Sequence, residues 1–191
     1  MNPVIHFLTG WVVANADGLE RRDRNIVTLA AVLPDADGLG ILANLASGNQ
    51  ETGLRLYGQY HHVLAHNIFS GLLIALAAYA LAGKKRLSAL LAFLCFHLHL
   101  AEDLLSGRGP DGALWPIAYF YPASSGFMIS WSGQWELNAW PNVVIAAFLL
   151  LITFYLAWRK GFSPVGIFSP RADSLFVETL RARFGHPAPD G

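Results

Sequence analysis

Apolar positions in this chain fall into long uncharged blocks rather than into alternation. Asn67 to Gly83 reads NIFSGLLIALAAYALAG and Pro141 to Trp158 reads PNVVIAAFLLLITFYLAW, and neither block holds a charge. A helix crossing a bilayer core needs about 17–25 such residues. A third block, Leu87 to Leu105, is long enough but carries His97, His99, Glu102 and Asp103. Ile26 to Ser47 is apolar but interrupted by Pro34-Asp35-Ala36-Asp37, and Pro3 to Ala16 is apolar and short. No stretch sustains a two-residue alternation, so the pattern predicts an all-α chain. The first run has no basic residue ahead of it, and His6 and Trp11 interrupt it, so no cleavable signal peptide is expected.

Basic residues punctuate these blocks. Arg21-Arg22-Asp23-Arg24, Lys84-Lys85-Arg86 and Arg159-Lys160 each stand at the end of an apolar run. Cytoplasmic loops of membrane proteins carry the excess of Lys and Arg, and one orientation puts all three clusters inside. Lys84 to Arg86 is then the inner turn of a helical hairpin. Counted outward at 1.5 Å per residue, His66 and Asp103 both lie about 28 Å from that turn. They reach one level, near the outer edge of the membrane core, and His6 and Asp35 point the same way.

Composition narrows the picture. Hydrophobic residues make up 54% of the 191 and charged residues 14%, against roughly 25% charged in a soluble domain. Such a chain is too apolar to be disordered. Cys95 is its only cysteine, which excludes a disulfide scaffold. Thirteen basic and thirteen acidic side chains cancel, so no basic face invites nucleic acid. The expectation is an all-α, polytopic membrane helical bundle with a His/Asp metal site at one end. Residues 1–160 form the membrane-embedded domain. Within it, 107–141 is a Gly-, Pro- and aromatic-rich stretch, read as an interface loop or a lid that admits a lipidic substrate. Residues 161–191 form a cytoplasmic tail with a short amphipathic helix from Ser169 to Arg183.

The candidate chemistry lies in a few polar residues. His62 and His66 are four apart in HHVLAH, and His99 and Asp103 share that spacing in HLAED. On helices each pair shares a face, and two such pairs on neighbouring helices are a common way to hold a metal in a bundle. Asp35 and Asp37 bracket Ala36 after a proline, and His6 adds another imidazole. Ionisable groups inside a membrane cost up to about 3 kcal/mol each on insertion scales, so they mark function more often than packing. Imidazole with carboxylate suits zinc first, with manganese, iron or magnesium as alternatives. By helical phase His61 and His97 point away from these pairs, as structural or supporting residues. Cys95 reads as a small buried thiol, and Glu102 as a base or an end charge. Arg108 could neutralise a phosphate or reach lipid headgroups.

Taken together, IHFLTG, LPDADGLG, HHVLAHNIFSG and HLHLAEDLLSGRGPDGALWP resemble a bacterial and archaeal family of inner-membrane proteins assigned as metal-dependent hydrolases, one member of which is linked to the DNA-damage response. The resemblance runs from His6 to about Pro116. Family blocks usually read His-Arg-Gly-x-x-His-Ser and His-x-x-x-Asp, followed by Leu-Trp-Pro. His62 and His66 are matched to the two histidines, with Val63 in place of Arg and Asn67 in place of Ser. His99, Asp103 and Leu114-Trp115-Pro116 match the rest. The family is distantly similar to zinc-dependent phospholipase C and S1/P1 nuclease, which implies phosphoester hydrolysis. On this reading His6, Asp35, His62, His66, His99 and Asp103 are metal ligands, and Asp37 or Glu102 is the base. Arg108 and Trp115 meet a lipid or lipid-linked substrate. The alternatives are a metal-binding or ion-transporting membrane protein without hydrolysis, and a structural protein stapled by zinc.

Overall fold

The computed structural model describes residues 1–15, 18–41, 61–109 and 112–188. Helix α1 (Pro3–Ala14) is started by Asn2, whose side-chain oxygen accepts from the Val4 and Ile5 N–H groups at 3.1 Å each. This is the usual role of Asn at an N-cap, and Pro at the first helical position reinforces it. Helix α2 (Arg21–Ala30) returns antiparallel against α1 and runs on into a 3-10 segment, Leu33–Ile41, that carries Asp35 and Asp37. Gly10 sets the crossing: a Cβ there would lie 2.7 Å from the Thr28 carbonyl oxygen. The absent side chain lets the end of α2 approach, and with it the Ala31 carbonyl that the site uses.

Helices α3 (Ile68–Leu81) and α4 (Lys85–Ser106) form the second hairpin, and α5 (Trp140–Lys160) packs on α1. Helix α4 is the centre of the bundle, in contact with α1, α2 and α3. Its buried residues Ser88, Ala92, Cys95, Phe96, His99 and Asp103 recur every three or four positions, one stripe of a 3.6-residue period. The stripe is small or apolar at its start and ionisable at its end. A final helix, α6 (Pro170–Phe184), is docked through Asp173, which accepts from the Ser163 N–H and hydroxyl at 2.7 and 2.6 Å.

Helices α4 and α5 are long and apolar enough to cross a membrane. Only 17% of the apolar window of α5 is buried, so its Val143, Phe148, Leu151 and Tyr155 form an outward apolar surface and not a core. The block from Asn67 to Gly83 departs from expectation. Its helix has fourteen residues, or about 21 Å, short of a core of about 30 Å. The cause is local. Asn67 is the N-cap, accepting from Ser70 N–H at 3.0 Å and donating back to the Val63 and Leu64 carbonyls at 3.1 and 2.7 Å. These bonds hold the preceding residues in turns.

The three basic clusters meet at one end of the molecule. Asp23 accepts from the backbone N–H groups of Gly83 and Lys84 at 2.8 and 2.7 Å, which ties α2 to the α3–α4 turn. Lys160 donates to the Asn15 carbonyl at 2.6 Å, Arg21 donates to the Gly166 carbonyl at 2.6 Å, and the Arg24 guanidinium lies 3.7 Å above the Phe162 ring. At the opposite end the stretch from 112 to 139 lies against the bundle, where Ala118 N–H donates to the His62 carbonyl at 3.5 Å and Trp135 N–H to the Leu105 carbonyl at 3.0 Å. Ile117 pairs with Ile129, and Gln134 bonds both the N–H and the carbonyl of Trp115 at 3.0 and 3.1 Å.

Burial works against the Asp23 charge, but the N–H groups of Lys84 and Gly83 outweigh it and hold the carboxyl below its usual range. Its contribution is therefore present above the unfolded carboxylate value of about 3.9 and is lost as pH falls through the lower folded value. Asp23→Ala should cost about 1.5–3 kcal/mol, the worth of hydrogen bonds to a charged group. Thermal unfolding in detergent should show that difference at pH 7 and a smaller one as pH approaches 3. An unchanged midpoint at pH 7 would mean the turn does not need this bond.

Candidate metal centre

The cluster gathers at the end of the bundle away from the basic residues. His99 and Asp103 are one turn apart on α4, and His6 comes from the first turns of α1. His61, His62 and His66 come from the turns before α3, and Asp35 and Asp37 from the 3-10 segment. His6, His66, His99, Asp37 and Asp103 all have side chains 2% exposed or less.

Hydrogen bonds fix the tautomers. His99 Nδ1 lies 2.8 Å from the Ala31 carbonyl oxygen, which only accepts, so this nitrogen carries the proton. His66 Nδ1 donates to Asp37 Oδ2 at 2.9 Å, His61 Nδ1 to Asp37 Oδ1 at 2.8 Å and His6 Nδ1 to Glu102 Oε2 at 2.6 Å. Asp37 also accepts from Ala65 N–H at 3.0 Å, and Glu102 from the Thr9 hydroxyl at 2.5 Å. For His66 and His99 the anchored Nδ1 leaves the Nε2 lone pair facing inward, whereas His6 Nε2 also lies 3.2 Å from the Met1 carbonyl oxygen.

Those lone pairs converge on one carboxylate. Asp103 Oδ2 lies 3.0 Å from His99 Nε2, 3.3 Å from His66 Nε2 and 3.7 Å from His62 Nε2, yet it has no hydrogen-bond partner. Asp103 Oδ1 lies 3.2 Å from His6 Nε2 and is ion-paired with the Met1 amino group. Most telling, His66 Nε2 and His99 Nε2 face each other at 3.0 Å. With both Nδ1 atoms protonated, two neutral rings would oppose bare lone pairs there. A cation between them, proton or metal, removes the conflict. The rings of His6 and His99 stack at 3.8 Å between centroids, which fixes their orientation further.

Two donor sets emerge: His61, His62 and His66, and His6, Asp35, His99 and Asp103. Within each set the ligand atoms lie within 4.8 Å of one another, and the His66–His99 contact joins the sets. The donors are nitrogen and oxygen only. Cys95, one turn below His99, is buried and belongs to neither set. Such a set can coordinate a divalent ion, and Asp37 and Glu102 are the carboxylates that commonly orient metal-bound imidazoles from behind.

The electrostatics agree with this arrangement. Burial pulls His62 down to about 2, aided by the neighbouring His66 and His61 and opposed by Asp103, which keeps the ring neutral and able to donate a lone pair. Burial also opposes charge on His66, but the nearby Asp103 carboxylate and the hydrogen bond and charge of Asp37 outweigh it and lift the ring to about 9. A positive charge is stabilised at that position. Burial opposes charge on Asp37 too, and the bonds from His61 and His66 overcome it, so this carboxyl stays ionised well below its usual range.

A family model described as the YdjM inner membrane protein matches residues 1–162. The chain belongs to that family. No curated protein and no solved structure matches it. The YdjM match runs from α1 through the end of α5 and includes every residue of the cluster, while α6 lies beyond it. A membrane-embedded helical protein with a cluster able to hold a metal is therefore what sequence family and geometry together describe.

The structure brings together His6, Asp35, His62, His66, His99 and Asp103, and sets Asp37 and Glu102 against their imidazoles. Trp115 stands edge-on to His61 and His62, with centroids at 6.0 and 5.4 Å. Arg108 instead donates to the Ser132 carbonyl at 2.9 Å. Two expectations need correction. His62 and His66 do not share a helical face: residues 61–67 are turns and bends, and His62 has φ +68°, a left-handed conformation that no α-helix can pass through. His61, expected to point away, lies in the cluster. The signal for it was in the spacing. His-Arg-Gly-x-x-His-Ser separates its histidines by five positions, which is the separation of His61 and His66, so His62 stands where the arginine would. His97 does point away, bonded to the Phe93 carbonyl at 2.8 Å and the Tyr119 hydroxyl at 2.9 Å.

Replacing both His62 and His66 by Ala removes two donors and opens the joint between the sets. Purified double variant should retain no stoichiometric divalent metal by elemental analysis, whereas the wild type retains at least one ion per chain. Full retention by the variant would put the metal elsewhere.

Proposed function

We propose that this chain is a metal-dependent hydrolase of the inner membrane, with zinc as its ion and a phosphoester of a lipid or lipid-linked compound as its substrate. The observation that carries the reading is the pair of opposed Nε2 atoms of His66 and His99, 3.0 Å apart over the unpartnered Asp103 oxygen. The phosphorus chemistry is what the resemblance of the sequence blocks would imply, through the distant likeness of that family to zinc-dependent phospholipase C and S1/P1 nuclease. Bound there, a divalent ion supplies Lewis acidity, polarising a substrate oxygen and making water acidic enough to attack near neutral pH.

The protein's own residues divide the remaining work. His6, Asp35, His61, His62, His66, His99 and Asp103 hold the ion or ions. Asp37 and Glu102 hold imidazoles by their Nδ1 protons and so act as positioning residues. Asp35 Oδ2 has no hydrogen-bond partner among the described residues, and Asp35 lines the larger cavity beside the cluster. It is the carboxylate best suited to accept the proton of the attacking water. The folded stretch over the end of the bundle, pinned by Gln134 to Trp115, limits access of bulk water to one side.

If this division holds, metal and turnover separate by residue. Asp103→Asn should lose metal and activity together. Glu102→Gln should keep the ion but lower turnover of lipid phosphoesters about 10–100-fold, the usual worth of a group orienting a metal-bound imidazole. A panel of lipid and soluble phosphoesters and carboxylic esters, assayed with zinc, manganese and magnesium, tests the reaction itself. Absence of turnover by metal-loaded protein would leave a metal-binding or ion-transporting membrane protein.

The same reading takes the chain to be polytopic, with its basic end in the cytoplasm and the cluster toward the outside, because all three basic clusters gather at one end. In a Cys95→Ala background, an impermeant thiol reagent on intact cells should label cysteine introduced for Ser124 and not for Lys85. The reverse pattern would move the site to the cytoplasmic face.

A further inference from the structure

Two cavities flank the cluster and meet at His61. The smaller, about 330 Å³, is lined by His62, Trp115, Pro116 and Met128. The larger, about 600 Å³, lies between the start of α1, the end of α2 and the 3-10 segment, and is walled by Leu29, Val32, Leu33 and Leu137 with Asp35 and His61 at its polar edge. Its apolar wall does not close on itself. Leu29, Leu33 and Leu137 are 43%, 50% and 45% exposed, and Val4 on the neighbouring turn of α1 is 62% exposed. In a protein of an inner-membrane family, an apolar mouth of this kind faces acyl chains at little cost, whereas in water it would be a liability.

The polar edge gives the groove a direction. Among the described lining residues, Asp35, His61, Asn2 and the backbone near Met1 offer polar contacts, and Asp35 and His61 belong to the two donor sets of the metal centre. A ligand filling the groove must therefore be apolar along its length and polar where it reaches the cluster. A volume near 600 Å³ falls in the range that encloses one small-molecule-sized group. We propose that this groove holds a single alkyl chain of an amphiphile and presents its polar head to the cluster at Asp35 and His61. The proposal deepens the hydrolase reading and rests on it for the identity of the head, but the chain-binding groove is tested separately.

The probes are n-alkyl phosphonates with two to ten carbons, which share one unhydrolysable head. They are titrated against zinc-loaded full-length protein in one detergent, with displacement of a fluorescent fatty-acyl probe as readout. Burial of each methylene should tighten binding about two- to fourfold until the groove is full. Leu33→Trp fills the groove from the 3-10 segment and Leu137→Trp from the opposite wall. Both side chains are half exposed, so either variant should fold, and metal content checks that the cluster is intact. The variants should bind the two-carbon phosphonate as the wild type does but lose the dependence on chain length. Partition into micelles is the same for all proteins and cancels in the comparison.

Chain-length dependence that survives in both filled variants would overturn the groove, and so would a flat series in the wild type. A third outcome separates the two readings. If no phosphonate head contributes to binding, but octanol displaces the probe from the wild type and not from Leu33→Trp, the groove stands and the phosphoester reading falls.

Discussion

A buried carboxylate among imidazoles governs this end of the molecule. Asp103 is 2% exposed on the helix that contacts α1, α2 and α3, and an isolated charge there would cost several kcal/mol. It is tolerated because four elements turn toward it. Helix α1 brings His6, the turns before α3 bring His62 and His66, α4 brings His99, and the 3-10 segment brings Asp35 close to His99. The cluster able to hold a metal is also the clamp that joins the two hairpins.

The support for that clamp reaches into the packing. His99 can present Nε2 only while the Ala31 carbonyl holds its Nδ1, and Ala31 is in reach because Gly10 lets the end of α2 lie against α1. His66 depends likewise on Asp37, and His6 on Glu102, which Thr9 steadies in turn. At the other end Asp23 fastens α2 to the turn between α3 and α4. The long apolar face of α5 contributes little to this framework and much to contact with lipid, since so little of it is buried.

Much of this was legible in the sequence because it rests on local pattern. The uncharged runs mark α3 and most of α5, the spacing of His99 and Asp103 marks one face of α4, and the basic clusters mark one end. The meeting of His66 with Asp103 follows from counting outward along two helices from a shared turn. Other features depend on contacts distant in sequence or on one backbone angle. The left-handed His62 breaks the helix that HHVLAH suggests, and that break lets His61 join the cluster. The orienting partnerships of Asp37 with His61 and His66, and of Glu102 with His6, cross 24, 29 and 96 residues, so nothing in the neighbourhood of either acid announces them. Arg108, close in sequence to Asp103, turns its guanidinium to a loop carbonyl instead, a choice set by the fold of the stretch that follows.

On the proposed reading, buried imidazoles and Asp103 hold a metal with nitrogen and oxygen alone. X-ray absorption at the zinc edge of the purified, zinc-loaded protein reads the donor atoms directly. The account predicts a nitrogen and oxygen shell near 2.0–2.1 Å with the outer-ring scattering of two or more imidazoles. A shell containing sulfur near 2.3 Å, which only Cys95 or a methionine could supply, or a zinc ion without imidazole scattering, would contradict it.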